Sequence, residues 1–121
     1  MTVKFVDFES KVENPHFDGV FDITPVELQQ KMNDVKMIDV REPDEYTGEL
    51  GHVPGAELVV LGTLPDQIAS LPKDKTVVFI CRSGGRSAKA TAYALMNGFT
   101  SVYNMYGGML NWNQLQLPVE R

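Results

Sequence analysis

The chain has 121 residues, a net charge of −5 and a pI near 4.9. That is one domain, long enough to bury about two thirds of its unfolded surface, and too acidic for nucleic acid or an anionic membrane to be its partner. With 43% hydrophobic residues it reads as globular rather than disordered. One cysteine excludes an internal disulfide framework, and with two histidines it leaves no metal-ligand cluster.

Met1 to Glu9 holds no apolar stretch of signal-peptide length, and no later segment is long enough to span a bilayer, so the cytoplasm is the expected location. Phe5, Val6, Phe8, Phe17, Val20 and Phe21 give the first residues more apolar weight than a disordered tail needs. Two readings stand for them: packing on their own domain, or contributing to a dimer contact or partner surface. Thr24-Pro25 predicts a helix start, with Thr as N-cap and Pro at the first helical position, and Val26, Leu28 and Met32 on the helix that follows. Lys36–Val40 reads as a buried strand ended by Arg41-Glu42-Pro43. Asp44-Glu45-Tyr46 begins a short turn, and Gly48, Gly51, Pro54 and Gly55 mark an irregular loop. A short strand at Glu57–Val60 and a short helix at Pro65–Leu71, stopped by Pro72, come next. Thr76–Ile80 is an uninterrupted β-branched and apolar strand. The helix from Arg86 to Asn97 places Ala88, Thr91, Ala92 and Leu95 on one face, with Gly98 as a left-handed C′ residue. Ser101–Asn104 is a further strand and Gly107–Leu115 a last helix. Alternating strands and helices imply a parallel sheet with helices on both faces, and ligands in such folds bind beyond the carboxyl ends of the strands.

Cys81 falls at such an end, in the stretch Cys81-Arg82-Ser83-Gly84-Gly85-Arg86-Ser87. Three features favour its thiolate. The helix that follows has unpaired leading N–H groups and a positive dipole end. Gly84 and Gly85 can adopt positive φ and let backbone N–H groups converge on an anion. Arg82 and Arg86 stay cationic and can bind an oxyanion. Cysteines so placed titrate at roughly 3.5–7.5 rather than about 8.5, so an acidic thiol is expected. Packing alone would call for neither the glycines nor the arginines. A cysteine phosphatase carries five residues between Cys and Arg, often with His before the Cys. Here only four separate Cys81 from Arg86, Ser87 stands at the arginine position, and Ile80 at the histidine position. The shorter loop suits a smaller reacting centre, such as a sulfur atom.

Three segments in order resemble the rhodanese family of sulfurtransferases. They are Ile38-Asp39-Val40-Arg41-Glu42-Pro43-Asp44-Glu45-Tyr46 running on to Gly51-His52-Val53-Pro54-Gly55-Ala56, the Cys81 loop, and Gly107-Gly108-Met109-Leu110-Asn111-Trp112 with Leu117-Pro118-Val119. Leu117 stands where the family often has Gly before its final Pro. The resemblance implies a three-layer α/β fold around a mostly parallel five-stranded sheet, in a domain at 21–119 preceded by an extension at 1–20. It also implies that Cys81 carries sulfur as a persulfide between a small anionic donor, such as thiosulfate, and a thiol or protein acceptor. The loop from Arg82 through Ser83, Gly84, Gly85 and Arg86 to Ser87 would bind the donor and stabilise the persulfide, with no cofactor. A non-catalytic module of the same fold is the first alternative, although such modules commonly lack the cysteine or the glycine-rich loop and this chain keeps both. A phosphatase or arsenate reductase is the second, opposed by loop length and by the single cysteine respectively.

Other residues have plainer readings. Asp39 and Arg41 are a structural pair tying the strand end to nearby loops, the alternative being a catalytic pair. His52 fixes its Gly/Pro-rich loop by a hydrogen bond or sits near substrate, while His16 has no companion. Trp112 and Tyr93 are core or rim aromatics. Met105 and Met109 line the pocket mouth or belong to the core. Ser83 and Ser87 can donate to a bound anion, and Ser87 is also placed to cap the helix.

Overall fold

A computed structural model describes residues 5–121, so residues 1–4 of the extension lie outside the described residues. Among the described residues six strands form one sheet: β1 (Val12–Glu13), β2 (Phe21–Ile23), β3 (Lys36–Asp39), β4 (Glu57–Leu58), β5 (Val77–Ile80) and β6 (Val102–Met105), in the order β1-β2-β6-β5-β3-β4. All pairings are parallel except β1 with β2. The mostly parallel α/β class is as expected. The sixth strand is the difference, because Val12 and Glu13 of the extension add an antiparallel edge against Asp22 and Phe21. Central β5 is buried at all four positions, which is why it reads as an unbroken apolar run rather than an alternating one.

Helices cover both faces. α3 (Leu64–Gln67) and α4 (Gly85–Met96) close over Ile38, Val40, Val77, Phe79 and Cys81, joined by Leu64, Ile68, Ala90 and Ala94. On the other face Leu28 of α1 (Pro25–Lys31), Met109 and Trp112 of α5 (Gly108–Gln114) and Phe8 of the extension bury Met37, Val78 and Ile80. The start of α1 is as its sequence predicts: the Glu27 N–H donates to Thr24 Oγ1 at 3.2 Å and Pro25 occupies the first turn. Asp44-Glu45-Tyr46 belongs to a one-turn helix, α2 (Pro43–Tyr46), closed by a Glu42/Glu45 capping box. The expected helix at Pro65–Leu71 divides into α3 and a 3₁₀ turn at Ile68–Ser70.

One expectation is corrected in α4. Its buried side is Ser87, Ala88, Ala90, Thr91 and Ala94, whereas Ala92 and Leu95 are only partly covered. The helix is rolled by about one position from its apolar stripe because Ser87 and Thr91 face inward with hydrogen-bond partners of their own. The extension packs on the domain. Phe8 is fully buried and edge-on to Tyr103 at 5.0 Å, and the Val6 N–H donates to Thr76 Oγ1 at 2.8 Å.

Candidate active site

Where β5 ends, Cys81 enters a loop that turns directly into α4. Gly84 is the N-cap of that helix with φ +107°, a left-handed conformation open to glycine and costly for other residues. This turn directs the Gly84 N–H back to Cys81 Sγ at 3.0 Å. Ser87, in the first turn of α4, brings its Oγ to 3.2 Å from the same sulfur. Ser87 therefore does not cap the helix, as its sequence position suggests; Gly84 takes that place and the hydroxyl faces the thiol. Cys81 itself is only 1% exposed, while Arg82, Ser83 and Gly85 form the open rim above it.

A second helix end holds the loop from below. The N–H groups of Met109 and Leu110, at the start of α5, donate to the carbonyls of Cys81 (2.8 Å) and Arg82 (3.0 Å). Gly107 and Gly108 make this approach possible at φ +74° and +58°, and a Cβ on Gly108 would lie 2.5 Å from both carbonyl oxygens. The Gly-Gly turn thus lies against the Cys81 loop. Met105 and Met109 are fully buried in the core and do not line a pocket mouth.

Arg86 is brought together with Glu45, an acid that the sequence alone does not associate with the loop. Its two terminal nitrogens donate to Glu45 Oε1 and Oε2 at 2.7 and 2.9 Å. The Arg86 guanidinium holds the Glu45 carboxyl at about 2, well below its ordinary range, and the carboxylate in turn raises Arg86. Asp39 and Arg41 form a fully buried pair, Nε to Oδ1 at 2.9 Å and Nη2 to Oδ2 at 2.8 Å. Arg41 also donates to the carbonyls of Gly51 and Glu45. This ties β3 to α2 and to the Gly-rich loop, the structural role expected of the pair. His52 stacks on Tyr46 with ring centroids 3.7 Å apart and its Nδ1 lies 2.8 Å from the Tyr46 carbonyl oxygen, which fixes the loop rather than a ligand. Trp112 is a core aromatic, its Nε1 donating to the Pro118 carbonyl at 2.8 Å.

Two depressions flank the Cys81 loop. One, of about 600 Å³, is lined by Ser83, Gly84 and Gly85 on one side and by His16, Tyr106 and Leu110 on others. The second, of about 360 Å³, lies between Arg82, Arg41 and α2. Asp22 and Asn104 form a buried polar pair beneath the larger cleft, and neither is singled out by motif or spacing. The signal available was Asn104 itself, a polar residue on the same face as Val102 in a strand that buries that face. Among the described residues no group of three His, Cys, Asp or Glu side chains is placed to hold a metal ion, and no helix is long and apolar enough to cross a membrane.

The family model for the rhodanese-like domain matches residues 24–115. The chain belongs to the rhodanese family. A sulfurtransferase of Allochromatium vinosum is 35% identical over 103 residues, covering 83% of this chain and 94% of the relative. The thiosulfate sulfurtransferase GlpE of Pseudomonas paraeruginosa is 32% identical over 94 residues, 77% of this chain and 84% of its own. Among solved structures, a rhodanese-like domain protein from Staphylococcus aureus superposes with a TM-score of 0.70 at 33% identity, covering 83% of this chain and 98% of that one. The rhodanese-like domain spans most of this chain, and its relatives include sulfurtransferases.

Proposed function

We propose that this rhodanese transfers a sulfane sulfur through a persulfide on Cys81, and that thiosulfate serves as a donor. The Cys81 thiolate attacks the outer sulfur of the donor. A new S–S bond forms at Sγ, the S–S bond of thiosulfate breaks, and sulfite departs with the bonding pair. A thiol, a protein cysteine or cyanide then attacks the terminal sulfur, and Cys81 leaves as thiolate, restoring the starting state. No oxidant or cofactor enters the balance.

The observation that carries this reading is Cys81 Sγ at the N-terminal end of α4, with the Gly84 N–H 3.0 Å away. A donor so placed stabilises negative charge on sulfur, and the leading N–H groups of the helix have no partner within it. The rim residues Arg82, Ser83 and Gly85 are exposed for the incoming anion, with Gly84, Arg86 and Ser87 completing its binding loop. GlpE, by its name a thiosulfate sulfurtransferase, supports thiosulfate as donor. The acidic body and local arginines favour a small anion over a polyanion, and the proposed setting is the cytoplasm.

Intact mass measured before and after thiosulfate, and again after excess cyanide, tests the proposal. The expected result is a gain of one sulfur atom that cyanide removes, absent in Cys81→Ser, with transfer to cyanide abolished in that variant. No gain with any sulfur donor would overturn the enzymatic reading in favour of a binding module. Turnover of a phosphate ester but not of thiosulfate would overturn it in favour of a phosphatase.

A further inference from the structure

A continuous buried hydrogen-bond chain leads away from Cys81 through Ser87 and Asn104 to Asp22. Ser87 Oγ lies 3.2 Å from Sγ and 2.5 Å from Asn104 Oδ1. Asn104 Nδ2 donates to Asp22 Oδ1 at 2.9 Å and to the Gly84 carbonyl at 3.2 Å. Asp22 accepts in addition from Asn14 Nδ2 at 3.0 Å. Asp22 and Asn104 are register partners on adjacent parallel strands, β2 and β6, so the sheet itself holds them together. Asp22, Asn104 and Ser87 are each 5% exposed or less.

The chain has a direction. The Gly84 carbonyl and the Asp22 carboxylate can only accept, so the amide of Asn104 must turn its NH₂ toward them and its oxygen toward Ser87. Ser87 has one hydroxyl proton, and this arrangement commits it to Asn104. What Ser87 then offers Cys81 is a lone pair, suited to an S–H and not to a thiolate. For Ser87 to donate to an anionic sulfur, Asn104 Oδ1 must lose the only hydrogen bond it has among the described residues, in a buried site. The charge on Asp22 strengthens the commitment, since an amide that donates to a carboxylate is a better acceptor at its oxygen. The Gly84 N–H pulls the sulfur toward the anion; the Ser87 chain holds it back.

We propose that Asp22, acting through Asn104, sets the direction of the Ser87 hydroxyl and is a positioning residue that restrains ionisation of Cys81. The inference rests on Cys81 being the nucleophile, but it concerns the sulfur itself and is read without sulfur transfer. The charged groups around the sulfur are Arg82 in the loop, Arg86 with Glu45 of α2, and the Asp39–Arg41 pair at the end of β3. His16 shares the Asp22 cleft.

The test is the pH dependence of Cys81 alkylation by iodoacetamide, a neutral probe. Asp22→Asn keeps the shape and an acceptor for Asn104 but removes the charge. Its alkylation profile is expected to move to lower pH, with a rate roughly three- to tenfold faster on the rising limb, the scale of one hydrogen bond. The same substitution in a Ser87→Ala background is expected to move nothing, because the hydroxyl that carries the coupling is gone. Asn104→Ala provides a second background in which Asp22→Asn has no further effect, should Ser87→Ala fold poorly. An unchanged profile in Asp22→Asn would overturn the proposal. An equal shift in either background would also overturn it, since that is the signature of the Asp22 charge acting through space.

Discussion

Both terminal nitrogens of Arg86 are bound to Glu45, so the cation nearest the sulfur on α4 reaches the loop already half balanced. Its guanidinium can still approach a donor from the face that Glu45 leaves open, since the Arg86 side chain is 38% exposed. Arg86→Ala is expected to raise KM for thiosulfate more than for a neutral persulfide donor. An equal loss with both would assign Arg86 to holding the loop through Glu45. Glu45→Gln separates the two roles further. Arg86 holds the Glu45 carboxyl at about 2, so this acid is ionised across the working pH range. Removing its charge leaves Arg86 uncompensated, and KM for thiosulfate is expected to fall by roughly two- to fivefold, the scale of one partly exposed ion pair. A rise in KM would mean that the pair is needed to shape the loop. The proposed nucleophile and both arginines are legible from the loop sequence alone. Glu45 as a partner is not, because 41 residues separate it from Arg86 and only the fold brings α2 over the loop.

At the level of elements, the active loop is clasped between two helix beginnings, with α4 supplying a donor to the sulfur and α5 supplying donors to the carbonyls behind it. Gly108 is where this arrangement is least tolerant. Its φ is +58°, and a Cβ there would sit 2.5 Å from the carbonyl oxygens of Cys81 and Arg82, with no side chain able to give way. Gly108→Ala is expected to cost about 1–3 kcal/mol in backbone strain alone, before the clash with the loop carbonyls is counted. It is also expected to reduce sulfur transfer further than the loss of folded protein explains. Urea unfolding and specific activity measured on the same sample check this; a loss confined to stability would free the α5 turn from any part in shaping the site. Local chemistry made several elements legible: Thr24-Pro25 for α1, the apolar run of β5, and Gly98 at φ +88° after α4. Strand β1 was not, since Val12 and Glu13 are both exposed and leave no alternation to read. The Asp22–Asn104 contact was hidden for a different reason. It depends on the register of β2 against β6, across 82 residues of sequence.

For the molecule as a whole, one acid gathers several of the contacts that fasten the segment before β2 to the rest. Glu27 on α1 accepts the N–H groups of Glu9 (2.9 Å) and Ser10 (2.8 Å) and pairs with Lys31 at 2.7 Å. Lys31 also donates to the Asp7 carbonyl and lies over the Phe8 ring at 5.3 Å. Burial pushes the Glu27 carboxyl up, but Lys31 and the Ser10 and Glu9 donors outweigh it and bring it down to about 2, from an ordinary 4.5. A carboxyl that is more acidic folded than unfolded stabilises the fold in full above its unfolded value. That contribution is lost as pH falls from about 4.5 toward 2. Glu45 adds a second term of the same sign over the same window. Stability is therefore expected to decline below about pH 4.5, and Glu27→Gln to be less stable at pH 7 by about 1–3 kcal/mol, the range for a charged hydrogen-bond partner lost from a half-closed site. The variant should also show a shallower decline in acid, because one of the titrating carboxyls is gone. Trp112, on α5 and fully buried in one core with Leu28 of α1, reports global unfolding, while amide exchange at Glu9 and Ser10 reports the extension. Faster exchange at those two amides with unchanged Trp112 unfolding would mean that the extension detaches as a unit from a domain stable without it. A loss of stability in both signals would instead make Glu27 part of the global fold, consistent with Phe8 lying in the same core as Trp112.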